Sequence, residues 1–401
     1  MTALPAPISA VAYVCADPGV PVFGRKGSSV HVQGVVRALL RLGVEVDLFA
    51  SRTDGEPPED LRNVRLHKLP RPPKGDLEAR ERDLLAANAE LRAALEGSGP
   101  FDLIYERYSL WSRAGVEHAR EAGIPSVLEV NSPLIPEQAE HRGLVARPAA
   151  EEVARTVFGG ADALVAVSEG VAEYLRGYPE TAGRVCVIPN GVEAARYSGE
   201  VAPALPKREG EFTVGFVGTL KPWHGLSGLV EAFAELHRKR PGSRLLVVGD
   251  GPERESVERM LAKHGLLAKA RLTGAVGPEE VPGLLASMDV AVAPYPALAG
   301  FYFSPLKVYE YLAAGLPVVA SRIGQLGDLI SSEENGLLYP PGEIQALAEA
   351  LVRLHDDPDL RTRLGEAGRR EVLAEHTWDA VVERILEAVG ARAGAGEAHG
   401  R

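Results

Sequence analysis

The sequence predicts an α/β protein made of two doubly wound, Rossmann-like halves, and three observations carry that prediction. Short Val/Ile/Leu-rich runs bounded by Gly, Asp or Pro recur along the chain, as expected of parallel strands covered on both faces. Segments of helical period separate them, the alternation that crossover helices produce. The series stops at 197–211, where prolines and glycines replace any helix or strand pattern, and then starts again.

In the first half the expected strands are 8–15, 44–50, 64–69, 101–108, 126–131, 163–167 and 185–188, with helices at 29–42, 77–95, 109–121 and 149–158. In the second, strands are expected at 212–217, 244–248, 270–272, 290–293 and 318–320, with helices at 226–239, 253–263, 278–288 and 305–314. Helical spacing continues over 344–355, 358–374 and 378–389. The expected organisation is a first domain over 1–200, a second over 205–375, a helix at 378–390 returning to the first domain, and a frayed tail at 391–401.

Composition narrows the function classes. Lys+Arg 44 against Asp+Glu 55 leaves a net charge of −11, so a nucleic-acid partner is not expected. Cys15 and Cys186 sit in apolar runs without CxxC spacing and read as core. The first twenty residues lack a basic start, and no apolar run reaches membrane-spanning length. A cytoplasmic protein without a transmembrane segment is expected, while peripheral contact with a membrane stays open. HExxH, GxSxG and Walker motifs are missing from the sequence, which removes support for metalloprotease, hydrolase and P-loop readings.

Chemistry-bearing residues cluster where strands end. Lys26, Gly27 and Ser28 follow the first strand; Gly27 allows close backbone approach, and Ser28 or Ser29 offers a helix cap beside free amides. A plain glycine turn explains the same residues equally well. His31 shares a helical face with Val35 and Leu39, which suits a structural histidine at least as well as a functional one. Arg107 and Glu129, followed by Asn131, close two neighbouring strands; they either line a site or anchor loops.

In the second half, Thr219, Lys221 and His224 follow the strand at 212–217, with Lys221 as a point charge and His224 as a titratable donor. Gly249 and Gly251 flank Asp250 in a turn open to close ligand approach. The strongest signal runs from Tyr302 through Phe303, Ser304, Pro305 and Leu306 to Lys307 and Glu310. Ser304 suits an N-cap and Pro305 the first helical position, so an anion is welcome there. Lys307 and Glu310 lie three apart on one face, fit either for a diphosphate and ribose hydroxyls or for an ion pair on a solvated face.

These segments, together with Ile188-Pro189-Asn190-Gly191-Val192, Glu310-Tyr311-Leu312-Ala313-Ala314-Gly315-Leu316-Pro317 and Asn335-Gly336-Leu337-Leu338, give a chain that resembles the retaining glycosyltransferases of family 4 over about residues 8–390. The resemblance implies the GT-B fold, two Rossmann-like domains facing across a cleft. It also implies transfer of a hexose-type sugar from a nucleotide diphosphate sugar to a hydroxyl-bearing acceptor, with retention and without metal or other cofactor. Glu310 then matches the second family glutamate, which contacts the ribose. Phe303 and Ser304 approach donor sugar and phosphate, Gly27 faces the diphosphate, and Ala275 with Val276 falls where the base is held.

Three departures stand out. Tyr302 occupies the place of the first family glutamate, eight positions before Glu310. Thr219 and His224 replace the usual Arg and Lys of the phosphate loop, leaving Lys221 and Lys307 to supply charge. Asn131 replaces a histidine and cannot act as a base, so proton removal falls to the leaving phosphate oxygen. The competing readings are an epimerase or phosphorylase on the same fold, and a non-catalytic nucleotide-sugar-binding protein. Acceptor choice is assigned to the loops at 71–74 and 134–147.

Overall fold

The computed structural model describes residues 8–71 and 75–399, the last nine in backbone only. Lys74 and the two prolines before it, part of the loop at 71–74, lie outside the described residues. The chain divides into two units, described separately below: residues 1–191, 302–304 and 378–401 form unit 1, and residues 192–301 and 305–377 form unit 2. The division falls at Gly191, ahead of the 197–211 segment. Tyr197 is the reason, since its ring is buried on the unit 2 side.

Among the described residues, unit 1 holds seven strands, β1 (Ala10–Cys15), β2 (Glu45–Ala50), β3 (Arg65–Lys68), β4 (Leu103–Arg107), β5 (Ser126–Val130), β6 (Ala163–Ala166) and β7 (Val185–Val187). All pair in parallel, in the order β3-β2-β1-β4-β5-β6-β7. The order reverses between β1 and β4, the place where open α/β sheets receive ligands at their carboxyl ends. Around the sheet lie α1 (Gly27–Arg41), α2 (Leu77–Ala86), α3 (Asn88–Glu96), α4 (Ala114–Ala122), α5 (Leu134–His141), α6 (Arg147–Gly160) and α7 (Glu169–Arg176).

The helix expected at 77–95 is two helices, and the one expected at 109–121 starts only at Ala114. One side chain accounts for both. The Asn88 amide donates to the carbonyls of Leu85 and Trp111, and its oxygen accepts from the N–H groups of Arg113 and Ala114. Those bonds break the first helix at Ala87 and hold 109–113 as a loop.

Unit 2 has six parallel strands, β8 (Phe212–Val217), β9 (Ser243–Val248), β10 (Ala270–Leu272), β11 (Val290–Ala293), β12 (Val318–Ser321) and β13 (Leu337–Tyr339), ordered β10-β9-β8-β11-β12-β13. Its switch point lies between β8 and β11. The helices are α8 (Leu226–Lys239), α9 (Arg254–Lys263), α10 (Val281–Leu285), α11 (Leu306–Ala313), α12 (Leu326–Leu329), α13 (Ile344–Asp356) and α14 (Pro358–Glu375). Strand β13 has only three residues, too few to show a period in sequence, yet its Leu337 and Tyr339 close the core formed with Val319 and Leu347.

The last helix, α15 (Trp378–His399), packs on α1 within unit 1 and continues into the segment expected to fray. Gly34 makes this docking possible. A Cβ on Gly34 would stand 2.3 Å from the Trp378 indole nitrogen, so only glycine leaves room for the buried ring. Cys15 is buried as expected, whereas Cys186 is only half-buried on β7.

Candidate active site

In unit 1 the register of the sheet assembles a charged cluster. Arg107 is paired with Glu129 across β4 and β5, and Tyr13 with Tyr105 across β1 and β4, so these side chains gather near the carboxyl ends. The Glu129 carboxylate, 1% exposed, takes Arg107 Nη1 at 3.1 Å and His31 Nε2 at 2.8 Å. Tyr105 Oη and Asn131 Nδ2 also donate to it. Burial alone would raise this carboxyl, but His31, Arg107 and Tyr105 together hold it down to about 2. His31 also meets the Trp378 ring edge-on, at 4.8 Å between centroids.

Glu129 is therefore a permanent anion whose oxygens are occupied. It positions Arg107, His31 and Asn131 and is unfit to accept a proton near neutrality. Neither Ser28 nor Ser29 caps α1: Lys26 is the N-cap residue and Gly27 the first helical one, with no side-chain cap. Lys26 and Gly27 are exposed.

Segment 302–304 groups with unit 1. Tyr302 donates to Glu137 Oε2 at 3.1 Å, and its carbonyl accepts from Ser168 Oγ at 2.6 Å. Ser304 Oγ accepts from the Asn190 N–H at 3.2 Å, and Asn190 Nδ2 donates to the Ser304 carbonyl at 2.8 Å. The hydroxyl expected to cap α11 is thus committed elsewhere; the N-cap residue is Pro305, and the helix opens at Leu306 without a side-chain cap.

In unit 2, α11 carries Lys307 to the switch point between β8 and β11. Its ammonium is enclosed, has no hydrogen-bond partner among the described residues, and stands 4.2 Å from the Phe216 ring centroid and 5.4 Å from that of Tyr295. Tyr311, on the same helix, instead bonds the backbone of Val217. Burial presses the Lys307 ammonium down to about 7, only partly opposed by Glu310. A Cβ on Gly218 would come within 3.0 Å of Nζ, so the loop after β8 lies against the charge.

His224 is not the titratable donor the sequence suggested. Its Nδ1 lies 2.5 Å from the Thr219 carbonyl, which can only accept, so Nδ1 carries the proton and Nε2 keeps a lone pair. Burial, with Lys307 and Lys221 nearby, lowers it to about 3, and the ring is neutral. Its ring stands perpendicular to that of Tyr295, at 5.6 Å between centroids. Lys221 stands 5.4 Å from the Trp223 ring.

Glu310 does not pair with Lys307. Arg196 Nη1 lies 3.2 Å from its Oε1, and burial raises the carboxyl while Arg196 works against that rise. The same guanidinium donates through Nη2 to the Pro278 carbonyl, in the loop that carries Ala275 and Val276. Ala275 is exposed and Val276 half-buried. Arg196 was invisible to sequence reading because it sits on a single 3-10 turn, Ala194–Tyr197, with no period to detect.

Gly249 and Gly251 serve the chain itself. Gly249 has φ +132, and a Cβ there would stand 2.1 Å from the Gly218 carbonyl oxygen; one on Gly251 would stand 2.5 Å from that of Leu220. The turn and the loop after β8 are thus locked backbone to backbone, which fixes the wall beside Lys307.

Fold and site together define an α/β protein of two parallel-sheet units, one presenting an enclosed cation at its sheet switch point. Residues 199–371 match the family model for glycosyl transferases group 1, and residues 26–191 that for a glycosyl transferase 4-like domain. A 2-deoxystreptamine glucosyltransferase of Streptomyces kanamyceticus is 30% identical over 357 residues, 82% of this chain and 89% of that protein. A D-inositol 3-phosphate glycosyltransferase of Salinispora tropica is 29% identical, covering 91% of this chain and 80% of its own. Among solved structures, sucrose-phosphate synthase of Thermosynechococcus elongatus superimposes with TM-score 0.74 at 25% identity, covering 94% of this chain and 97% of that one. HepE of Anabaena, solved with UDP-glucose, gives TM-score 0.71 at 18% identity over 95% of this chain and 99% of its own. The chain belongs to the family 4-like glycosyltransferases of GT-B fold, and it is a transferase enzyme. No helix among the described residues is long and apolar enough to cross a membrane.

Proposed function

We propose that this glycosyltransferase takes a hexose-type sugar from a nucleotide diphosphate donor and passes it to a hydroxyl acceptor, with anomeric configuration retained and no metal ion required. One observation carries the reading: the enclosed Lys307 ammonium, without a hydrogen-bond partner among the described residues, at the carboxyl ends of β8 and β11. A buried cation left unpaired is costly, and an anion relieves that cost. A diphosphate supplies it, and its charge grows as the sugar leaves, so Lys307, assisted by Lys221, favours the transition state over the ground state.

The acceptor oxygen bonds to the anomeric carbon as the bond from that carbon to the phosphate oxygen breaks, and the acceptor proton passes to the departing phosphate oxygen. No protein base is needed. Glu129 is held near 2 and occupied, and the Asn131 amide has no basic nitrogen. In unit 2, Glu310 accepts from ribose hydroxyls and the loop of Ala275 and Val276 receives the base. In unit 1, Arg107, His31 and Asn131 are the acceptor-side groups, held by Glu129.

The test incubates the enzyme with a panel of nucleotide diphosphate sugars and polyol acceptors. The panel includes 2-deoxystreptamine and D-inositol 3-phosphate, for which two relatives are named. Acceptor-dependent release of nucleoside diphosphate, a retained anomer by NMR and full turnover in EDTA are expected. An inverted product, or turnover abolished by EDTA, overturns the mechanism.

A further inference from the structure

Arg196 joins two parts of unit 2 that are far apart in sequence. One nitrogen of its guanidinium meets the Glu310 carboxylate on α11 at 3.2 Å, and the other donates to the carbonyl of Pro278, beyond β10. The side chain is 21% exposed and the carboxylate 18%, so solvent screens the pair only in part. The guanidinium also lies 5.8 Å from the ring of its neighbour Tyr197, whose burial anchors the turn. A planar fork with two donors in fixed geometry is what allows one residue to hold both groups, and a lysine ammonium on a flexible stem cannot reproduce it.

We propose that Arg196 is a positioning residue for the donor nucleoside, setting the Glu310 carboxylate for ribose hydroxyls and the loop at 275–278 for the base at a fixed separation. The inference rests on the roles given above to Glu310 and to that loop, and assigns to a connector residue the task of keeping them in register. Arg196 engages Glu310 at Oε1. Loss of the guanidinium frees the carboxylate to rotate and the loop to drift. Donor recognition then weakens while chemistry at the anomeric carbon, which Arg196 does not touch, continues.

The test measures binding of UDP, GDP and ADP, and of their 2′,3′-dideoxy forms, by calorimetry, together with donor KM and kcat. In the wild type the preferred diphosphate should lose affinity when the ribose hydroxyls are removed. Arg196→Ala should raise donor KM by about tenfold with kcat little changed, and should erase the difference between ribose and dideoxyribose ligands. Arg196→Lys keeps a cation for Glu310 but gives up the fork. It should retain the ribose discrimination and narrow the preference among the three bases. If Arg196→Ala does not fold, Arg196→Lys still decides. A wild-type profile retained in the folded variants, or kcat lost with KM unchanged, overturns the positioning role. A wild-type protein that binds none of the three diphosphates overturns the donor reading itself, and this inference with it.

Discussion

The two units solve opposite electrostatic problems near the carboxyl ends of their sheets. In unit 1 the buried carboxylate of Glu129 is surrounded by Arg107, His31, Tyr105 and Asn131, so the charge is answered from within. In unit 2 the buried ammonium of Lys307 faces the rings of Phe216 and Tyr295, a neutral His224 and a Glu310 already engaged by Arg196. The first arrangement is a finished scaffold; the second leaves its charge without a hydrogen-bond partner among the described residues, which is what the proposed diphosphate would supply. Removing a charge should therefore damage folding in unit 1 and ligand binding in unit 2.

The largest effect is expected at Glu129. Glu129→Ala strands Arg107 and His31 in the interior and should cost about 3–5 kcal/mol, read as a fall in melting temperature or denaturant midpoint. The same ion cluster sets an acid limit. The Glu129 carboxyl is held at about 2 against an ordinary 4.5, so the folded state binds the proton less readily. Its stabilisation, about 3 kcal/mol, is present above pH 4.5 and disappears as pH falls toward 2. An acid-unfolding curve unchanged in Glu129→Gln would break the comparison on this side.

Next comes Lys307→Met, which removes a charge that none of the described residues pairs by hydrogen bond. It should weaken nucleoside diphosphate binding and turnover by about 10- to 100-fold and leave stability unchanged or raised. Substantial destabilisation would mean that the ammonium is structural after all.

Gly249→Ala is expected to follow. The added carbon meets the Gly218 carbonyl and the backbone is left-handed, so a stability loss of about 1–3 kcal/mol should appear together with weaker diphosphate binding, because the wall beside Lys307 moves. A fully active, fully stable variant would show that the interlocked loops do not shape the seat.

The smallest effect sharpens the comparison through pH. Burial holds the Lys307 ammonium near 7 against an ordinary 10.5, so the unliganded protein releases that proton as pH rises through neutrality. Diphosphate affinity should fall above pH 7, by at most about tenfold per pH unit. Stability should move the other way, rising between pH 7 and 10.5, because the unfolded chain then holds the extra proton. Lys307→Arg should flatten the binding profile.

Much of this was legible in the sequence, for identifiable reasons. Strands such as Phe212–Val217 and helices such as Leu226–Lys239 have enough residues to display a period, and the sequence located both. Lys307 and Glu310 were legible because they lie on one helix. What escaped was whatever depends on groups distant in the chain. Asn88 divides a helix through bonds to residues 111–114, Ser304 is drawn from its expected cap by Asn190, and Phe216 reaches Lys307 from β8 and Tyr295 from the segment after β11. The state of His224 escaped as well, since a histidine's charge follows its burial and neighbours, which spacing does not encode.

The most direct measurement compares calorimetric binding of a nucleoside diphosphate with that of its nucleoside, in wild type and in Lys307→Met. The account predicts a large advantage for the diphosphate in wild type that collapses in the variant, with nucleoside affinity the same in both. A diphosphate advantage that survives the loss of Lys307 would place the anion elsewhere and contradict it.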